Sequence, residues 1–120
     1  MAVQKQDGLF TDCQESAEDL RSKEFYFATR DSTGKFALAG DGESIAGVIS
    51  EGRNTGYGTS VNTPGNPILK AIAGSGISRG DSVQSDANGK AATGSTKPIG
   101  VARNNAAAGE MVEIQTDATR

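Results

Sequence analysis

Phe25-Tyr26-Phe27-Ala28-Thr29-Arg30-Asp31-Ser32-Thr33-Gly34-Lys35-Phe36-Ala37-Leu38-Ala39-Gly40-Asp41-Gly42 is the stretch on which the reading of the fold turns. Phe25, Phe27 and Thr29 alternate with Tyr26 and Ala28, the two-residue period of a half-buried strand. Asp31 to Lys35 supplies turn chemistry: a carboxylate that can close onto its own backbone, then a glycine that accepts positive φ. Phe36 to Ala39 returns, and Gly40-Asp41-Gly42 turns the chain again. The stretch is a hairpin and its return.

The same punctuation continues to the end of the sequence. Short strands are predicted at Ile45 to Ser50, Thr59 to Val61, Ile68 to Ala73, Asp81 to Val83, Ile99 to Ala102 and Met111 to Gln115, with Gly, Pro and Asn between them. No segment supports a long helix. Upstream the pattern changes. The first 31 residues hold seven acidic and four basic side chains, so the whole net charge of −3 resides there. Apolar residues are sparse in it, Leu9 and Phe10 forming the one pair before residue 25. The prediction is an all-β protein: a small β-barrel or sandwich of short strands over 24–120, preceded by an extended N-terminal arm over 1–23. That arm is either a disordered tail or a segment that docks on another subunit through Leu9 and Phe10.

Comparison of the sequence with itself gives two pairs. Asp31-Ser32-Thr33-Gly34-Lys35 returns as Asp86-Ala87-Asn88-Gly89-Lys90, and Ala46-Gly47-Val48 as Ile99-Gly100-Val101, at offsets of 55 and 53. Gly80-Asp81-Ser82-Val83 resembles Gly109-Glu110-Met111-Val112. Both an internal repeat and a reuse of Asp/Gly turn chemistry account for these pairs.

Composition limits the function. With 120 residues the chain has room for one ordinary domain. Leu, Ile, Val and Phe number 21, whereas Ala, Gly, Ser, Thr and Asn number 59, so the core is thin. Ordering each residue costs about 1–2 kcal/mol of backbone entropy, and small scaffolds offset it with disulfides, a metal or a partner. Cys13 is the one cysteine and there is no histidine, which leaves oligomerisation. A sequence pI near 4.9 without a basic cluster argues against nucleic acid. No window reaches 18 apolar residues, and Met1 to Asp7 lacks the apolar run of a secretion signal. No membrane partner and synthesis in a cytosol are therefore expected.

Catalytic patterns fail one by one. A serine or cysteine nucleophile needs a base, most often histidine. Gly74-Ser75-Gly76 lacks the spacing of a nucleophile elbow, and Gly34-Lys35 and Gly89-Lys90 lack the rest of a phosphate loop. Asp81, Asp86 and Asn88 do not form the alternate-residue series of a calcium loop. Glu18-Asp19 and Asp41 with Glu43 read as solvated faces, and Asp12 and Glu15 disfavour a Cys13 thiolate. The expectation is a structural or binding protein, not an enzyme, with no cofactor and no metal.

The stretches Gly76-Ile77-Ser78-Arg79-Gly80-Asp81-Ser82-Val83, Ser85 to Ala91, Pro98-Ile99-Gly100-Val101-Ala102 and Ala106 to Ile114 carry a family resemblance. With the Phe25 to Ala28 strand, the Asp31 to Lys35 turn and the Ile45 to Ile49 strand, they cover roughly residues 24 to 115. The chain resembles the small head decoration, or capsid cement, proteins of tailed bacteriophages. The resemblance implies a β-rich homotrimer on the outer surface of the virion capsid. It would clamp major capsid protein subunits after the shell expands, in a head assembled in the host cytoplasm.

Under that resemblance Leu9 and Phe10 become the anchors of an arm that reaches the capsid. Tyr57, Val61, Ile68 and Leu69, in the glycine-rich middle, are candidates for the trimer interface; the alternative is that they are ordinary core residues. The rival functions are a phage fibre or adhesin module binding a host surface ligand, and a small enzyme. The first calls for aromatic platforms, and the chain has no Trp, two Tyr and four Phe.

Overall fold

Asp31 closes its turn as the sequence predicts. Its Oδ1 accepts hydrogen bonds from the backbone N–H groups of Thr33 and Lys35, and Gly34 takes φ of 88°. In this computed structural model, which describes residues 10–116, that turn joins two of ten strands. They are β1 (Thr11–Glu15), β2 (Phe27–Arg30), β3 (Phe36–Leu38), β4 (Gly47–Glu51), β5 (Gly58–Asn62), β6 (Ile68–Ile72), β7 (Ser82–Ser85), β8 (Ala91–Thr93), β9 (Gly100–Ala102) and β10 (Met111–Gln115). They form two antiparallel sheets, in the orders β1-β5-β4-β2-β3 and β6-β10-β9-β7-β8.

The two orders are one order written twice, with β6 standing for β1 and each later strand following suit. Hydrogen bonds repeat with it. Asp86 Oδ1 takes the N–H groups of Asn88 and Lys90, with Gly89 at φ of 79°. Each sheet curls so that the residue after its first strand bridges in parallel to its third, Ser16 to Phe36 and Ala73 to Ala91. The glycines of the second repeated pair mark the closest approach between strands. A methyl on Gly47 would press into the carbonyl of Asn62, and one on Gly100 into the carbonyl of Gln115. The first self-similarity is thus a duplicated fold. The second is turn reuse within one half: Asp81 precedes β7 and Glu110 precedes β10, each accepting from the N–H three residues earlier.

The core divides unevenly. Leu20, Ala28, Phe36, Ile49 and Val61 make a small cluster inside the first sheet. Their counterparts Ile77, Val83, Ala91, Ala102 and Ile114 belong to a larger cluster that also takes in Phe27, Ala39 and Val48 from the first half. Where the first half has Phe36 and Ile49 the second has Ala91 and Ala102, and the volume is made up by side chains arriving across the junction.

The segment expected to be an arm over 1–23 is, from Thr11 on, part of this fold. β1 pairs with β5 from Thr11↔Asn62 to Glu15↔Gly58. Ser16 Oγ lies 2.6 Å from Thr59 Oγ1, and Leu20 is fully buried, its N–H donating to Arg53 O. Apolar alternation is silent here because β1 is an edge strand with almost no buried side chain.

Candidate interaction surfaces

With so few large side chains available, those left exposed are informative. Phe10, Phe25, Tyr57, Ile68 and Met111 are the large apolar residues on the surface of the described part. Leu9 lies outside the described residues. Phe10 is 55% exposed, although its backbone is held firmly: its N–H donates to Asn66 Oδ1 at 3.1 Å, and its C=O accepts from Asn66 Nδ2 and Thr63 N. The ring lies over Gly65.

Tyr57, the most exposed at 64%, stands on the turn entering β5, and Ile68 begins β6. Val61 and Leu69 do not join them. Both point inward and are buried, Val61 with Ile49 and Phe36, Leu69 in the larger cluster. They are core side chains in this fold, because alternation along β5 and β6 puts them on the inner faces.

Phe25 and Met111 were not singled out from the sequence. Phe25 carries φ of 71°, in the left-handed region that costs a side chain with a Cβ about 1–2 kcal/mol. Its counterpart in the second half is Gly80, with φ of 94° and the matching hydrogen bond: Phe25 N–H donates to Ile49 O, Gly80 N–H to Ala102 O. The signal was present, since the 55-residue offset that aligns the two Asp turns also sets Phe25 against Gly80. Around Phe25 runs a groove of about 180 Å³, lined by Asn62, Asn66, Ile68, Leu69 and Lys70.

Charge is arranged locally. Arg30 reaches Asp12 at 2.6 Å and Lys35 reaches Glu15 at 3.5 Å, tying β1 to the first hairpin. The Arg30 hydrogen bond holds the Asp12 carboxyl below its ordinary range. Arg21 similarly lowers Asp19 to about 2, through side-chain and backbone hydrogen bonds. The Tyr26 ring has Lys23 Nζ at 5.1 Å and Lys90 Nζ at 5.7 Å from its centre, the second coming from the other half. Among the described residues no cluster of His, Cys, Asp or Glu is placed to hold a metal ion. A concavity of about 350 Å³ beside Arg79, Arg103 and Gln115 is open and polar.

Comparison with known proteins adds two findings. A family model described as phage cement protein matches residues 6–114. Among solved structures, the head fiber gp8.5 N base of bacteriophage phi29 superposes with a TM-score of 0.71 at 18% identity, covering 90% of this chain and 93% of that one. At that identity the likeness concerns the fold. No curated protein matches the chain.

Proposed function

The chain belongs to the phage cement protein family, a class of head-associated structural proteins, and from that premise we propose that it decorates the outer surface of the capsid. There it contacts major capsid protein subunits and stabilises the joints between them after the shell has expanded. It acts as a homotrimer and as a structural protein without catalytic activity. The family match over nearly the whole chain carries this reading. A thin core, tight turns and exposed Phe10, Tyr57 and Ile68 support it, since a small domain with few large apolar residues gains stability when partners cover those it leaves outside.

The test is co-sedimentation with expanded heads lacking the protein, followed by heating of decorated and bare heads. Stoichiometric binding with a raised rupture temperature is expected; binding without added stability would overturn the cement role. Light scattering gives the oligomeric state, with a mass near three 12.3 kDa chains expected. A second reading, a fibre or adhesin module, is favoured by the fold shared with a head fiber base. It predicts that labelled protein binds host cells, which the cement reading does not.

A further inference from the structure

A sheet edge is a row of backbone donors and acceptors awaiting a strand, and folded proteins normally blunt it. Four edges exist here, β1, β3, β6 and β8. At β3, Phe36 O accepts from Ala17 N and Leu38 N donates to Glu18 Oε2. At β8, Ala91 O accepts from Gly74 N. The bond from Thr63 N to Phe10 O fixes the phase of the β1–β5 ladder, so Thr11, Cys13 and Glu15 face outward. The central one of these, Cys13 N–H, is taken by Asp12 Oδ1 at 2.8 Å, and two carboxylates flank it.

β6 is different. The bond from Thr116 N to Pro67 O sets the same phase, so Ile68, Lys70 and Ile72 direct their N–H and C=O groups away from β10. Ile72 N–H donates to Phe25 O. Among the described residues the N–H and C=O groups of Ile68 and Lys70 have no partner, and Lys70 has no ion pair. These groups open into the groove beside Phe25, whose left-handed backbone sets its half-exposed ring at the end of the free edge. The position that is glycine in the twin turn holds the groove's aromatic wall.

We propose that the Ile68–Lys70 edge of β6 receives a short extended segment of the capsid shell protein, which adds as a strand. The segment carries an apolar side chain for the wall made by Phe25 and Ile68, and a carboxylate for Lys70. Main-chain pairing supplies affinity and the two side-chain requirements supply selectivity. The Phe25–Ile72 bond limits the added strand to about three paired residues, a contact suited to reinforcing others rather than acting alone. A second copy of this chain fits less well. Its matching edge, β1, has its central donor occupied, and Asp12 and Glu15 are engaged by Arg30 and Lys35.

This inference rests on the capsid reading, and its test separates the two. Amide hydrogen exchange at Ile68 and Lys70 is measured in the free protein and on expanded heads, beside head affinities of wild type, Lys70→Pro and Phe25→Gly. Lys70→Pro removes the outward-facing donor and the ammonium together while sparing the bonds to β10, and Phe25→Gly gives the turn the residue its twin already has. Both amides are expected to become protected on heads, and each variant to bind about tenfold more weakly. Wild-type binding with both amides still exchanging and both variants unimpaired would overturn the β6 site and leave the capsid reading standing. Wild type failing to bind would overturn both. Protection rising with concentration in the free protein would assign the edge to a second copy and overturn the capsid segment.

Discussion

The Asp31–Lys35 and Asp86–Lys90 turns are hydrogen-bonded alike and live in different surroundings. The first projects into solvent, and a methyl on Gly34 would meet nothing within 4 Å. The second is driven into the other half: Gly89 O accepts from Phe27 N, Leu38 packs against Gly89, and Lys90 lies near the Tyr26 ring. Local chemistry therefore specifies the turn twice, while packing between halves uses one of them. Duplication accounts for the topology; the junction accounts for the asymmetry.

The largest expected effect tests the duplication. Gly47→Ala and Gly100→Ala each force a methyl against a carbonyl of the neighbouring strand and should each cost about 3 kcal/mol by urea unfolding. A difference above about 1 kcal/mol between them would break the equivalence of the two sheets.

The next sharpens the asymmetry. Gly34→Ala should cost about 1–2 kcal/mol, the left-handed backbone penalty alone. Gly89→Ala adds a collision with Leu38 Cδ1 at 2.7 Å and should exceed it by about 1 kcal/mol or more. Equal losses would mean that the second turn is not wedged between the halves. Smaller still, Lys90→Ala should cost about 0.5–1 kcal/mol through the Tyr26 ring, whereas Lys35→Ala, whose partner is the exposed Glu15, should cost less than about 0.5 kcal/mol.

The subtlest is a titration. The Thr33 hydroxyl, ahead of the backbone N–H groups, holds the Asp31 carboxyl below its ordinary value. A depressed folded-state pKa stabilises above the unfolded value of about 3.9 and stops doing so as pH falls through the folded one. Carbon-13 shifts should show the Asp31 midpoint below the unfolded value and moving up in Thr33→Ala. An unmoved midpoint would remove the hydroxyl as the main cause.

Much of the fold was legible where side chains alternate between core and solvent. β10 was read to its ends, and β4, β5, β6 and β9 within two residues. β8 was missed because two of its three residues are alanines, which give no apolar alternation; it is held by Val83, Gln84 and Ser85 across the ladder. β1 was missed because nothing on it is fully buried. Of the residues expected at interfaces, Phe10, Tyr57 and Ile68 are exposed, but inward and outward positions on β5 and β6 are not separated by composition, so buried Val61 and Leu69 were grouped with them. Phe25 read as a strand aromatic because a backbone dihedral leaves no mark on a two-residue alternation.

The clamp at Phe10 has a mechanical side. Asn66 grips the main chain there from both directions, and β1 runs from that point alongside β5 for five paired residues. A pull directed along β1 through Phe10 is parallel to the strand, so it loads the β1–β5 rungs in shear, all of them together, instead of unzipping them in turn. The polar strand that contributes least to the core is in this way placed to bear tension.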